Sequence, residues 1–173
     1  MRITLCAASL TAAAALFTAL PAATAAPSAK SSTFTPEQQT LLSHISSGYN
    51  ASDCKPAERE DGANYLAVIS CKNHVTGAPK GVVYFLYDSQ GQMDADFDAT
   101  LDALVRAENC GQATNPGTWG PASDSEAALG RLGCGTSDDH STLLWTTNST
   151  QILSYAAGTD DIDALMTWWR KNG

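Results

Sequence analysis

Basic residues are scarce in this chain: ten Lys and Arg stand against eighteen Asp and Glu, for a formal net charge of −8. Nucleic acids and anionic lipid surfaces are gripped by clustered Lys and Arg, so neither is an expected partner. Histidine is scarcer still. His44, His74 and His140 lie far apart and no C-x-x-C pair occurs, which removes the ligand spacing of a zinc site. There is no G-x-S-x-G elbow to expose a nucleophilic serine, and no motif points to a cofactor. After residue 20 there is also no long apolar run, so no membrane span is expected in the mature chain.

What the chain does have begins with an export signal. Arg2 precedes an apolar run from Ile3 to Leu20, Pro21 breaks it, and Ala23 and Ala25 supply the small side chains a signal peptidase accepts before its cut. Residues 1–25 therefore read as a signal peptide, 26–34 as a flexible lead, and 35–173 as one α+β domain, long enough to bury a core. Cys6 leaves with the signal. Cys54, Cys71, Cys110 and Cys134 remain, an even count in an exported chain, which reads as two disulfides with three connectivities open.

The first ordered element is announced by "TPEQQTLLSHISSG". Thr35 can cap a helix, Pro36 suits its first position, and Gln38 completes a capping box. Leu41, Leu42 and Ile45 form the apolar face, with Gly48 as the stop. Five strands follow from β-branched and aromatic runs between turns: Tyr65 to Cys71, Val82 to Tyr87, Leu129 to Cys134, Thr142 to Thr147, and one in "TQILSYAAG". A turn at Asn148-Ser149 makes the last two a hairpin. Helices before and between these groups point to an antiparallel sheet with helices packed on one face.

A weak internal duplication overlies this pattern. "DGANYLAVISC" and "DSEAALGRLGC" align without a gap, each is followed by a turn and an apolar run, and the halves continue into "DFDA" and "DIDA". Equivalent halves would pair Cys54 with Cys71 and Cys110 with Cys134. The turn-rich stretch "CGQATNPGTWGPASD" would then hang from the second bridge as an irregular loop carrying Trp119.

Candidate sites are few. In the closing "DDIDALMTWWRKNG", Asp160 can cap a last helix whose stripe of Ile162, Leu165, Met166 and Trp169 faces the core. Trp168 lies about 100° round the helix, at the stripe's edge; both rings are expected chiefly to seal the core, with Trp168 the one left room for a partner. Asp94, Asp96 and Asp98 imitate the start of a calcium loop, but Ala99 and Val105 replace its required Gly and Glu, while Met93, Phe97, Leu101 and Leu104 form a helical stripe. "DDHS" at 138–141 reads as a polar turn rather than a catalytic set. Glu58, Glu60 and Glu126 are acids a glycoside hydrolase could use. Trp119 is the aromatic best placed in a loop to anchor a ligand.

The run of landmarks "TLLSHISSGYNASDC", "YLAVISC", "VVYFLYDS", "GTWG", "LGRLGC", "LLWTTN" and "DIDALMTWW" resembles a small extracytoplasmic domain of actinobacterial proteins, found free and as the outer tail of some membrane Ser/Thr protein kinases. The resemblance runs from Thr35 to Trp169 and implies a sensory or ligand-binding role, with no ligand residues to carry over. The expectation is an exported, non-enzymatic binding domain that meets an envelope or extracellular ligand or protein through Trp119 and Trp168. A secreted hydrolase built on distant acids, or a protease inhibitor presenting "NPGTWGP", are the alternatives.

Overall fold

The computed structural model describes residues 33–72, 78–120, 128–138, 140–159 and 161–173. The signal peptide, most of the flexible lead, Glu126, Asp160 and one residue of the "DDHS" turn lie outside them.

The opening helix forms as its capping pattern dictates. In α1 (Pro36–Leu42) the Thr35 hydroxyl accepts the N–H of Gln38 and the Gln38 side chain accepts the N–H of Thr35. Gln38 is buried and also donates to the carbonyls of Ala57 and Val68 at 3.0 and 3.1 Å, tying the helix to the sheet. The helix stops at Leu42, well short of Gly48, for a reason that lies elsewhere in the fold. Tyr84 carries a hydroxyl into the core, and a buried hydroxyl needs partners. It finds the N–H and Oγ of Ser46 at 3.0 and 2.9 Å, which requires the chain to leave the helix before Ser46. Gly48 serves packing instead, since a Cβ there would lie 3.0 Å from Nε1 of Trp168.

Ten strands follow: β1 (Cys54–Pro56), β2 (Tyr65–Lys72), β3 (Gly81–Tyr87), β4 (Val105–Arg106), β5 (Asn109–Cys110), β6 (Ala113–Thr114), β7 (Gly117–Trp119), β8 (Gly130–Ser137), β9 (His140–Thr147) and β10 (Ile152–Thr159), with α2 (Gln90–Asp102) after β3 and α3 (Ile162–Asn172) at the end. Eight of them make one antiparallel sheet in the order β1-β2-β3-β10-β9-β8-β4, with β7 also paired to β8, and β5-β6 form a separate hairpin. All five expected strands are present. The additional ones are two or three residues long, too short for an alternating pattern to show in sequence. The β9–β10 hairpin turns through 148–151, with Gln151 at φ 54°.

Helices cover both faces of the sheet, not one. On one side α1 and α3 set Leu41, Leu165, Met166 and Trp168 against Ile69, Val82, Tyr84, Leu132, Leu143 and Trp145. On the other, α2 sets Met93, Phe97 and Leu101 against Leu144, Leu153 and Tyr87. The apolar run of β9 explains the difference. Leu143 and Trp145 point one way and Leu144 the other, so neither face could be left wet. The aligned positions of the suspected duplication do share a face, Ile69 with Leu132 and Cys71 with Cys134. The helices that would be equivalent, α2 and α3, lie on opposite faces. One rotation cannot satisfy both relations, so the structure does not bear out a two-unit architecture.

Two disulfides join Cys54 to Cys71 and Cys110 to Cys134. The first links directly opposed residues of β1 and β2. The second fastens the β5–β6 hairpin to β8. No helix among the described residues is long and apolar enough to cross a membrane.

Candidate functional site

Trp119 does not sit in an irregular loop. Gly117, Thr118 and Trp119 pair with Leu132, Arg131 and Gly130 of β8, and the indole N–H of Trp119 reaches over to the carbonyl of Thr146 on β9 at 2.8 Å. That reach depends on Gly130. A Cβ there would stand 1.8 Å from the Thr146 oxygen and 2.6 Å from Trp119 Nε1, so only glycine leaves the path open. Along the same edge of β8, β7 ends at Leu132 and β4 begins at Gly135. Asn115 fills the gap. Its side-chain amide accepts the N–H of Cys134 at 3.1 Å and donates to the carbonyls of Cys134 and Ala107 at 2.7 and 2.6 Å. Sequence reasoning saw turn residues in this stretch, but nothing in it signals that an Asn side chain would stand in for a strand.

Both terminal tryptophans pack on the core, as expected, but Trp168 is the more deeply buried of the two. Trp168 is 8% exposed, edge-on to Tyr49 at 5.9 Å and near Trp145 at 6.4 Å. Trp169 is only partly buried and stands perpendicular to Trp119 at 5.7 Å. Asp161 is the N-cap, its carboxylate accepting the N–H of Asp163, and the buried residues are Leu165, Met166 and Trp168. The core stripe is rotated by part of a turn, leaving Ile162 and Trp169 at its margin.

Trp119 and Trp169 wall a groove of about 570 Å³. Leu132 and Met166 are buried beneath it, and Leu129, 47% exposed, flanks it. The polar side chains lining it are those of Thr118 and Arg170. No Asp or Glu among the described residues lines it, although the chain is strongly acidic. Arg170 makes no ion pair among the described residues. Asp163 approaches the same glycine, Gly111, from the preceding turns of α3 without pairing with it. Beyond Trp119 lies a smaller cavity of about 230 Å³ whose lining includes Ser46, Trp145, Thr147 and Ser154.

The acids are distributed differently. Asp94 and Asp98 lie on α2 facing Arg131, whose guanidinium also sits 4.3 Å above the Phe97 ring. The hydrogen bond from Arg131 holds the Asp98 carboxyl below its ordinary value. The aspartates that imitate a calcium loop are thus helical, and two of them serve a side-chain clamp. Asp96 instead lines a third cavity, with Glu60, on the α2 face of the sheet. His44 Nδ1 contacts the Ser43 hydroxyl at 2.9 Å and the Thr40 carbonyl at the exposed end of α1, a local helix-end arrangement.

No protein-family model, curated protein or solved structure matches the chain.

Proposed function

We propose that this is an exported, non-enzymatic binding domain, and that its ligand lies in the groove between Trp119 and Trp169. The observation that carries the reading is the groove's composition: apolar walls of about 570 Å³, within the roughly 300–1,000 Å³ common for small-molecule sites, with a few donors at fixed places. The Arg170 guanidinium and the Thr118 hydroxyl can donate, and no Asp or Glu among the described residues lines the groove beside them. The complementary ligand has an apolar body and an anionic end, as an acyl chain with a carboxylate does. The landmarks shared with actinobacterial extracytoplasmic domains support a sensory or ligand-capturing role at the envelope. The two disulfides support export, because such bonds persist in oxidising compartments.

Dodecanoate is a suitable probe, followed by tryptophan fluorescence. Saturable binding is expected, weakened about tenfold by Trp119→Ala, the loss of one well-placed aromatic contact, and severalfold by Arg170→Gln. Binding that neither substitution alters places the ligand elsewhere.

The inhibitor alternative has little support, because Gly117–Trp119 is paired to β8 and pinned through its indole rather than protruding. The hydrolytic alternative has one observation in its favour, the common cavity lined by Glu60 and Asp96. It requires glycoside turnover that disappears in Asp96→Asn.

A further inference from the structure

The cavity on the α2 face has a chemistry unlike that of the tryptophan groove. Its volume is about 270 Å³. Three aromatic rings border it: Tyr65 at the start of β2, and Phe85 and Tyr87 on the same face of β3. The Tyr65 ring meets Phe85 at 5.0 Å and 64°, and Tyr87 at 6.4 Å and 77°. Rings set at such angles form a corner that presents π faces from more than one direction. Leu153 closes the cavity on the β10 side. Two carboxylates complete the lining, Asp96 from α2 and Glu60 from the loop before β2. The loop is held to the corner, since the Glu60 N–H donates to the Tyr65 hydroxyl at 3.3 Å.

Neither carboxylate has an ion-pair partner among the described residues, and no Lys or Arg lines the cavity. Burial, together with the nearby charge of Asp96, pushes the Tyr87 hydroxyl far above its ordinary range, so this wall stays a neutral phenol. Aromatic faces carry negative electrostatic potential and attract cations. The charged groups lining the cavity are therefore both anionic, and the π faces of its rings carry the same sign.

We propose that this corner is a second binding site, independent of the tryptophan groove, for a small organic cation of the quaternary-ammonium class. A hard metal ion is a poorer match. It wants six or more oxygen ligands, and the described residues contain no cluster of three metal-binding side chains. A primary ammonium is strongly hydrated and wants an acceptor for each N–H; the two carboxylates offer acceptors, but the three aromatic borders suit an alkylated nitrogen better. An alkylated ammonium has no N–H to satisfy and an apolar surface that fits against rings, while the carboxylates balance its charge at longer range.

The test is calorimetric titration of the intact protein with choline, beside 3,3-dimethylbutan-1-ol, its uncharged isostere. Choline should bind saturably, about tenfold or more tighter than the isostere. Tyr65→Leu and Asp96→Asn should each weaken it severalfold. Tyr65→Phe, which keeps the ring, should retain binding, and Trp119→Ala should leave it unchanged. Equal affinity for the isostere would reduce the corner to an apolar dent. Tighter binding of Nα-acetyl-lysine methylamide than of choline would overturn the quaternary assignment in favour of a peptide side chain. Absence of saturation by choline at tens of millimolar, with Tyr65→Phe and wild type equally folded by circular dichroism, would remove the site altogether.

Discussion

Gly130 governs more of the groove than any residue that lines it with a side chain. It sits opposite Trp119 on β8, and its missing Cβ is what allows an indole N–H to satisfy a carbonyl one strand further on. Gly130→Ala is expected to destabilise the fold by about 1–3 kcal/mol, the usual range for overpacking, and to release the Trp119 ring. Thermal unfolding reads the first effect and near-ultraviolet circular dichroism the second. An unchanged aromatic spectrum would show that Trp119 is positioned by something else. Residue-level function was only half legible in the sequence. Trp119 stands out as a lone aromatic among turn residues. The choice between Trp168 and Trp169 depends on which face of α3 meets the sheet, and tertiary packing decides that rather than the spacing along the helix. Tyr65, Phe85 and Tyr87 gave no signal beyond ordinary strand composition, because their convergence arises from β2–β3 register and not from spacing along the chain.

At the scale of elements, the capping box of α1 was readable residue by residue, since all of its partners lie within four positions of each other. Its end was not, because Tyr84, 38 residues beyond Ser46, decides it. Strand β8 shows the same contrast. Its sequence "GRLGCGTS" is glycine-rich and a poor strand by propensity. Yet Gly133 lets Leu101 and Phe97 of α2 approach to about 3.0 Å of where its Cβ would be, so the glycine is repaid in helix–sheet packing. Helix α2 is further held by Arg131, which stacks on Phe97 and pairs with Asp98. Asp98 ionises below its ordinary value near 3.8 through the Arg131 hydrogen bond. Its contribution is therefore fully present above that pH and is lost as pH falls through the lower folded-state value. Asp98→Asn should be less stable than wild type at neutral pH by about 0.2–1 kcal/mol, the range for exposed pairs, and the gap should close at an acid pH below the folded-state value and narrow in high salt. Paired denaturant titrations at the two pH values check this, and a gap that persists in acid would refute it.

The molecule as a whole is a sheet sealed on both faces and stapled at two places with different consequences. Cys54–Cys71 secures the outermost strand, β1, while Cys110–Cys134 anchors the β5–β6 hairpin that leads into β7 and so into one wall of the groove. Removing either should cost roughly 3 kcal/mol on the chain-entropy account. Only Cys110→Ser with Cys134→Ser should also weaken dodecanoate binding, and equal effects from the two pairs would contradict this division. The α+β class and the five longer strands could be reached from sequence, whereas the cysteine pairing followed only from assuming equivalent halves and the short strands left no pattern to read. The second covered face was written in the apolar run of β9, but the order of helices and strands alone does not say on which face each helix packs. The duplication is not confirmed, because similarity of two strands with their cysteines says nothing about the side on which the next helix lands.

The central claim, that ligand enters between Trp119 and Trp169, is tested most directly by the indole N–H resonances of the four tryptophans in a ¹⁵N-labelled sample titrated with dodecanoate. The account predicts that the Trp119 and Trp169 signals move together and saturate, while those of Trp145 and Trp168, buried in the core, move far less. Movement led by Trp145 and Trp168, or stationary Trp119 and Trp169 signals while dodecanoate binds, would contradict it.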